Sequence, residues 1–125
     1  MAPTIDSRSA VRAESIRTHL RELLACDAFS TSPKLSRFLE FTVERTLTGE
    51  SDALKEYRLG VEIYDRPPSY DPRTDPIVRV EARRLRSKLT EFYETRAMDG
   101  PVQIEYPKGH YIPVFRFQEQ IGRES

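Results

Sequence analysis

The stretch from Asp75 to Tyr93, DPIVRVEARRLRSKLTEFY, decides the fold of this 125-residue chain. It begins with Asp75-Pro76, a side-chain N-cap followed by the residue best suited to the first position of a helix. Apolar residues then recur at spacings of three and four, which predicts a helix over 75–93 with one apolar stripe facing the core. The stripe consists of Val78, Ala82, Leu85, Leu89 and Phe92.

The rest of this helix is strongly cationic. Between Arg79 and Lys88, Glu81 is the only acidic residue. A helix that is anchored along one side and cationic over much of the other can lie in the major groove of DNA. The alternative is a solvated surface helix, and this stretch alone does not choose between the two. The cationic residues are Arg79, Arg83, Arg84, Arg86 and Lys88.

The composition is that of a highly charged globular protein, with 32% charged and 38% hydrophobic residues and enough length for one core. Lys plus Arg and Asp plus Glu number 20 each, so the net charge is zero. This balance counts against a nonspecific nucleic-acid coat, but not against a protein whose charge is locally segregated. From Arg66 to Arg96 there are eight basic and five acidic residues, a local excess of three.

Several functional classes lack their signatures. Cys26 is the single cysteine, so we expect no internal disulfide, no zinc site, and a small buried apolar residue rather than a reactive thiol. His19 and His110 are far apart, and no HExxH, GxSxG or P-loop motif is present. We therefore expect no enzyme activity, catalytic residue, metal or cofactor. No apolar run approaches the roughly 18 residues of a membrane span, and residues 1–10 lack a signal-peptide core, which favours the cytoplasm.

Periodicity predicts three more helices before Asp75. The first covers 9–25, with an apolar face that could dock on the chain's own core or pair two chains. The second begins at Ser32-Pro33, as cap and first residue, and ends at Gly49 as the residue after the C-cap. The third is capped by Asp52 and places Leu54, Tyr57, Val61 and Tyr64 on one face. Gly60 within it permits close packing against a neighbour.

A proline-rich loop over 66–74 precedes the basic helix, and a β-hairpin over 102–117 follows it. Val102, Ile104 and Tyr106 alternate with polar residues, and YIPVFRF from Tyr111 is typical of a returning strand. The turn between them, 107–110, contains Gly109, which we expect to adopt a positive φ. We expect the apolar residues of the returning strand to lie in the core.

Three compact helices followed by a hairpin predict a winged helix-turn-helix, mainly α with a C-terminal β-hairpin. Helices 54–64 and 75–93 form its bihelical unit, hairpin 102–117 is the wing, and helix 9–25 is an extra N-terminal element. We expect one domain over 9–117 with its core at 33–117. Residues 1–8 and 118–125 are expected to be flexible.

The runs IVRVEARRLRSKL and IEYPKGHYIPVF resemble the end of OmpR/PhoB-type winged-helix output domains, which combine an Arg-Leu-Arg-x-Lys-Leu helix with a basic-Gly-x-Tyr hairpin tip. Arg84–Leu89 and Lys108–Tyr111 match those two elements, and the resemblance covers about 33–117. The chain lacks the N-terminal β-sheet of that family. From Leu54 to Phe115 it more closely resembles winged-helix domains that precede tetratricopeptide or β-propeller-like regions in bacterial signalling proteins. The chain is then either a stand-alone regulator or an excised domain.

The sequence predicts a division of labour among the cationic residues. Arg79, Arg83 and Arg86 form a row suited to guanine edges, whereas Arg84 and Lys88 are better suited to phosphates. Arg73, just before the helix, could hold the DNA backbone. Lys108 and His110 flank Gly109 at the wing tip and could meet phosphates or the minor groove, although Lys108 could be only a solvated residue and His110 could pack against its neighbours. Glu81 would accept from a cytosine amino group or hold Arg84 or Lys88.

These expectations lead to a sequence-specific double-stranded DNA-binding transcriptional regulator. The alternative is a winged-helix module for protein–protein interaction, which zero net charge and the extra helix would also suit. Helix 9–25 is the candidate for a homodimer. The composition of the proline-rich loop favours a structural role, in which it presets the angle between the two helices. The resemblance also implies a contact with RNA polymerase or another regulator, and the two roles are not exclusive.

Overall fold

A computed structural model describes residues 7–96 and 100–117, with side chains from 9–95 and 100–117. The chain is mainly helical with a C-terminal antiparallel hairpin, as predicted. Residues 1–6 and 118–125, which cover most of the two segments predicted to be flexible, lie outside the described residues. The elements are α1 Ser7–Ala25, α2 Asp27–Ser30, α3 Pro33–Leu47, a 3₁₀ turn Ser51–Ala53, α4 Glu56–Tyr64, α5 Ile77–Arg96, β1 Val102–Glu105 and β2 Val114–Phe117.

Helix α1 docks on the core of its own chain. Ile16, Leu20 and Leu23 are each at most 3% exposed, so this apolar face is not free to pair two chains. Val11, which is 63% exposed, is the large apolar side chain of this helix that stays accessible for the predicted homodimer through helix 9–25. The chain then turns through α2, a short helix that the sequence did not predict. Cys26 before it packs against the core but is only half-buried, less than we expected.

Helix α3 begins and ends close to the predicted residues. The Ser32 side chain makes no capping hydrogen bond, contrary to prediction; only its backbone carbonyl accepts from the Ser36 N–H, at 2.9 Å. At the other end Gly49 has a φ of +81°, which confirms the predicted residue after the C-cap. Its N–H donates to the Thr46 carbonyl at 3.2 Å and that of Glu50 to Arg45 at 2.7 Å, the two bonds of a Schellman motif.

The prediction for the third helix was partly wrong. Asp52 lies in the 3₁₀ turn and caps nothing, because α4 begins at Glu56. Leu54 follows the 3₁₀ turn and is buried, but it precedes α4 and therefore does not belong to the apolar face of that helix. The buried face of α4 is formed by Leu59, Gly60, Ile63 and Tyr64. Tyr57, predicted to share one face of this helix with Tyr64, is 42% exposed, whereas Tyr64 is buried.

The proline-rich loop packs tightly against α4. Tyr70 is 8% exposed and its ring covers Gly60, as the prediction of close packing required. The ring also stacks on Tyr57, with 5.9 Å between centroids, and the Tyr57 hydroxyl donates to the Pro68 carbonyl at 3.0 Å. These contacts hold the connection between α4 and α5 in one path, which supports the structural role proposed for the loop.

Helix α5 buries the predicted stripe. Val78, Ala82, Leu85 and Leu89 are each at most 3% exposed, and Phe92 packs at the edge of the core. The Asp75 carboxylate accepts from the Ile77 backbone N–H at 3.2 Å, as expected of a capping side chain. The same carboxylate accepts from Arg66 at 2.7 Å, so the first turn of α5 is tied back to the end of α4.

The hairpin pairs β1 with β2 in a register that runs from Val102 opposite Phe117 to Glu105 opposite Val114. The returning strand starts three residues later than predicted, because Pro107 and Pro113 have no N–H to extend the ladder. Gly109 has the predicted positive φ, +98°. Val114 is 44% exposed, so its predicted place in the core was wrong.

Two polar contacts, one buried and one partly buried, join the hairpin to the helices. The Tyr106 hydroxyl lies 2.6 Å from Thr42 Oγ1 of α3. The Tyr93 hydroxyl of α5 accepts from the Ile104 N–H at 2.8 Å and lies 2.8 Å from His19 Nε2 of α1. Both pairs connect residues more than ten positions apart, so they fix the hairpin against the helical layer.

Candidate nucleic-acid interface

The exposed side of α5 meets the hairpin tip, residues 107–110, along two adjoining grooves. We call the residues that line them the α5–hairpin face. The first groove is lined by Glu56, Arg79, Ala82, Arg83, Arg86, Gly109, His110 and Tyr111. The second is lined by Arg83, Arg86, Ser87, Thr90, Glu91 and Lys108. The fold thus brings together five of the eight predicted DNA-binding residues from two separate parts of the sequence.

The exposed side of α5 carries no carboxylate between Arg79 and Thr90. Glu81, the one acidic residue in this stretch, is 8% exposed and lies at the edge of the buried stripe. Acidic residues reappear on the exposed side only at Glu91 and Glu94. The exposed positions before them are Arg79, Val80, Arg83, Arg84, Ser87 and Thr90. The first four turns of α5 therefore offer cationic, hydroxyl and apolar groups to a ligand.

Three cations of the predicted site make no hydrogen bond or ion pair within residues 9–95 and 100–117. They are Arg83, Lys88 and Lys108. Arg83 and Lys108 are exposed and line the same groove, one from α5 and the other from the hairpin tip. Lys88 is half-buried on the adjacent side of α5. None of the three lies within ion-pair distance of a carboxylate among the described residues.

Arg79 is held across the junction of two helices. Its Nη1 donates to Glu56 Oε2 at 2.7 Å, and Glu56 belongs to the first turn of α4. The Arg79 side chain remains 46% exposed, whereas that of Glu56 is 20% exposed. The guanidinium is therefore oriented on one side and open to solvent on the other.

Arg86 is occupied by the hairpin. Its Nε donates to the Tyr106 carbonyl at 2.8 Å and its Nη2 to the Pro107 carbonyl at 3.3 Å. The sequence placed Arg86 in the row that reads guanine edges. In the structure its guanidinium instead ties the hairpin tip to α5, because the fold ends β1 directly beside that turn of the helix.

Arg84 is paired with the buried Glu81, whose Oε2 lies 3.1 Å from Arg84 Nη1. The geometry matches the second of the two roles predicted for Glu81, that of holding a neighbouring cation. The Tyr64 hydroxyl donates to the same carboxylate at 3.4 Å. Burial, followed by the charge of Glu81, raises the pKa of Tyr64 well above its usual value.

Arg73 and His110 are both exposed and both have local partners. Arg73 is 89% exposed and donates through Nε and Nη2 to the Asp71 carboxylate, at 3.1 and 3.2 Å. Hydrogen bonds from Arg73 hold the pKa of Asp71 below its usual value. Arg73 lines neither groove of the α5–hairpin face. His110 does line the first groove, and its Nδ1 accepts from the Ile112 N–H at 3.2 Å.

Sequence reasoning missed one residue of this face, Glu56, and one exposed residue of α5 outside the two grooves, Val80. Val80 is a large apolar side chain that is 41% exposed on the cationic side of α5. It could have been found as the one apolar residue between Arg79 and Thr90 that lies off the buried stripe. Glu56 gave no such signal, because its contact with Arg79 joins residues 23 positions apart.

No protein-family model, curated protein or solved structure matches this chain. Among residues 7–96 and 100–117, no helix has the length and apolar character that a membrane crossing requires. The same residues contain no group of three or more His, Cys, Asp or Glu side chains that could hold a metal ion. What can be said about function therefore depends on the geometry of the α5–hairpin face.

Proposed function

We propose that this protein is a winged-helix regulator of transcription that binds double-stranded DNA sequence-specifically, with α5 in the major groove and the hairpin as the wing. One observation carries the proposal. The exposed side of α5 has no carboxylate between Arg79 and Thr90, and it adjoins cations that have no partner among the described residues. An unpaired cation gains most from a ligand with closely spaced negative charges, and duplex DNA carries one about every 1.7 Å along its axis.

The cations divide by their contacts. Arg79 and Arg83 project from the N-terminal half of α5, the part of a recognition helix that approaches base edges. An arginine there can donate twice to guanine O6 and N7. Lys88 and Lys108 have compact charges that suit phosphates. Arg86 holds the hairpin tip in place, which puts Lys108 beside Arg83.

The remaining predicted residues have secondary roles in this proposal. Arg84 and Arg73 each keep a carboxylate partner within the chain, so they are weaker phosphate ligands than a free cation. His110 at the hairpin tip faces the same groove as Arg83. Val80 supplies the apolar contact that recognises a thymine methyl group.

A salt series with two arginine variants tests the proposal. We would measure binding of a random-sequence duplex by fluorescence anisotropy for the wild type, Arg83→Ala and Arg37→Ala. Arg37 is also exposed and without a hydrogen-bond partner among the described residues, but it lies on α3 and lines neither groove of this face. Both variants lose one positive charge, so only the position of that charge differs.

For the wild type, log K should fall with log[salt] at a slope of about 0.9 per neutralised phosphate. Arg83→Ala should weaken binding, because a cation without a partner among the described residues is removed from this face, whereas Arg37→Ala should leave both the affinity and the slope unchanged. Equal effects of the two variants would show that the α5–hairpin face is not the contact surface. A folded wild type that does not bind at about 50 mM salt would overturn the proposal and favour an acidic protein as the partner.

A further inference from the structure

Glu56 is the acidic residue of the first groove, whose other charged and polar side chains are Arg79, Arg83, Arg86, His110 and Tyr111. Its Oε2 accepts from Arg79 at 2.7 Å and its side chain is largely shielded, at 20% exposed. The site is also electrostatically favourable for a carboxylate, because Glu56 lies in the first turn of α4, near the positive end of the helix dipole. The pair is therefore an ordered contact between α4 and α5.

A carboxylate in this position opposes simple attraction of DNA. It cancels the charge of one arginine in a groove that otherwise favours anions, and it stands where a phosphate would be repelled. In exchange, it removes rotamer freedom from Arg79. An arginine side chain loses conformational entropy when it is ordered. When a carboxylate already holds the guanidinium in the free protein, less of that entropy is lost on binding.

We propose that Glu56 is a positioning residue that orients Arg79 for one base pair and lowers the affinity for all other DNA. This inference rests on the proposed DNA binding and adds the source of its discrimination. Glu56 itself needs no contact with the bases. Tyr111 lines the same groove from the hairpin side. Its pKa is raised by burial first and by the charge of Glu56 next.

The inference predicts opposite effects on two kinds of DNA. Glu56→Ala removes one negative charge from the groove, so the affinity for an unrelated duplex should rise. It also frees Arg79 from its orientation, so the affinity for the preferred duplex should fall or stay level. The ratio of the two affinities should fall roughly tenfold, within the range for one bidentate base contact. A variant that is merely less folded would lose affinity for both duplexes alike.

The probes are a preferred duplex, selected with the wild-type protein from a randomised library, and a scrambled duplex of the same length. Dissociation constants would be measured for wild type, Glu56→Ala, Glu56→Gln, Arg79→Ala and the double variant Glu56→Ala/Arg79→Ala. The matched control is Glu62→Ala. Glu62 lies on the same helix and pairs with Arg58 at 3.2 Å, but it does not line the α5–hairpin face.

Glu56→Gln keeps an acceptor oxygen without the charge, so it should raise affinity for the scrambled duplex while retaining part of the discrimination. In the Arg79→Ala background, Glu56→Ala should no longer change the affinity ratio. Glu62→Ala should leave the ratio at its wild-type value. A reduced ratio in Glu56→Ala that disappears without Arg79 supports the positioning role.

An unchanged ratio in both Glu56 variants would overturn the inference while leaving the proposed DNA binding intact. Additive effects of Glu56→Ala and Arg79→Ala would also overturn it, since Glu56 would then act on a base directly. A wild-type protein that binds neither duplex, or both equally, would overturn the proposed sequence-specific function and this inference with it. The wild-type measurement thus separates the two failures.

Discussion

Replacing Gly60 by alanine tests whether the proline-rich loop is pinned against α4. A Cβ added at Gly60 would lie 2.7 Å from Cζ and 3.0 Å from Cδ2 of Tyr70, where ordinary contacts begin near 3.4 Å. The Tyr70 ring has little freedom to retreat, because it is 8% exposed and stacks on Tyr57. The ring or the helix must therefore shift.

The expected effect is the difference of two terms. Alanine is about 1 kcal/mol more favourable than glycine in a helix interior. Overpacking a closely packed site costs about 1–3 kcal/mol, and the overlap with a confined ring places Gly60→Ala in the upper half of that range. The net result is a loss of about 1–2 kcal/mol in the free energy of unfolding, or about 4–8 °C in Tm for a domain of this size.

Urea unfolding followed by far-ultraviolet circular dichroism would measure the change for wild type, Gly60→Ala, Tyr70→Ala and the double variant. Without the Tyr70 ring the overlap is gone, so the same Gly60→Ala substitution should stabilise the protein by about 1 kcal/mol. The sign of the effect should reverse between the two backgrounds. A Gly60→Ala variant that is more stable than wild type would refute the close contact, and with it the argument that Tyr70 fixes the path from α4 to α5.

Three further predictions concern the hairpin and its anchors. Arg86→Ala should lower the free energy of unfolding by about 1–3 kcal/mol, because two hydrogen bonds from a charged group are lost. Arg83→Ala should change the free energy of unfolding by no more than about 0.5 kcal/mol, so equal urea midpoints for the two variants would contradict this prediction. Thr42→Val should cost about 1–3 kcal/mol by leaving the buried Tyr106 hydroxyl without its 2.6 Å partner, and a neutral result in the same assay would show that the contact contributes nothing. Burial raises the pKa of Tyr93 to about 12. Its contribution to the free energy of unfolding should therefore be present below pH 10 and be lost between about pH 10 and 12, at about 1.4 kcal/mol per pH unit. Over that range the free energy of unfolding of Tyr93→Phe should decline less steeply than that of the wild type.

Local sequence patterns predicted most of the helical layer. The stripe on α5 was correct because spacing of three and four residues is a property of one helix and needs no knowledge of its neighbours. Gly49 was correct for a similar reason, since the positive φ after a helix strongly favours glycine. The predicted start of α4 was wrong because aspartate suits a 3₁₀ turn as well as a helix N-cap. In addition, the spacing between Leu54 and the later apolar residues fits a helix, although Leu54 lies before α4.

The predicted set of DNA-binding residues shows the same limit. Each arginine could be recognised as a cation from the sequence, but its neighbours could not. Arg79 meets Glu56 and Arg86 meets the Tyr106 carbonyl, contacts that span 23 and 20 residues. The sequence therefore indicated where positive charge is concentrated, without distinguishing free cations from those engaged within the chain.

By itself, then, the sequence determined the order of helices and hairpin and the cationic character of α5, because amphipathic spacing, caps and turn residues act over a few positions. Only the tertiary structure decided that Arg83 and Lys108 line one groove with no partner among the described residues, that Arg86 holds the hairpin, and that Glu56 restrains Arg79. The reason is physical. The charge of a side chain follows from its residue type and can be read from the sequence. Whether that charge is available to a ligand depends on which carboxylates and carbonyls the fold brings within hydrogen-bonding distance.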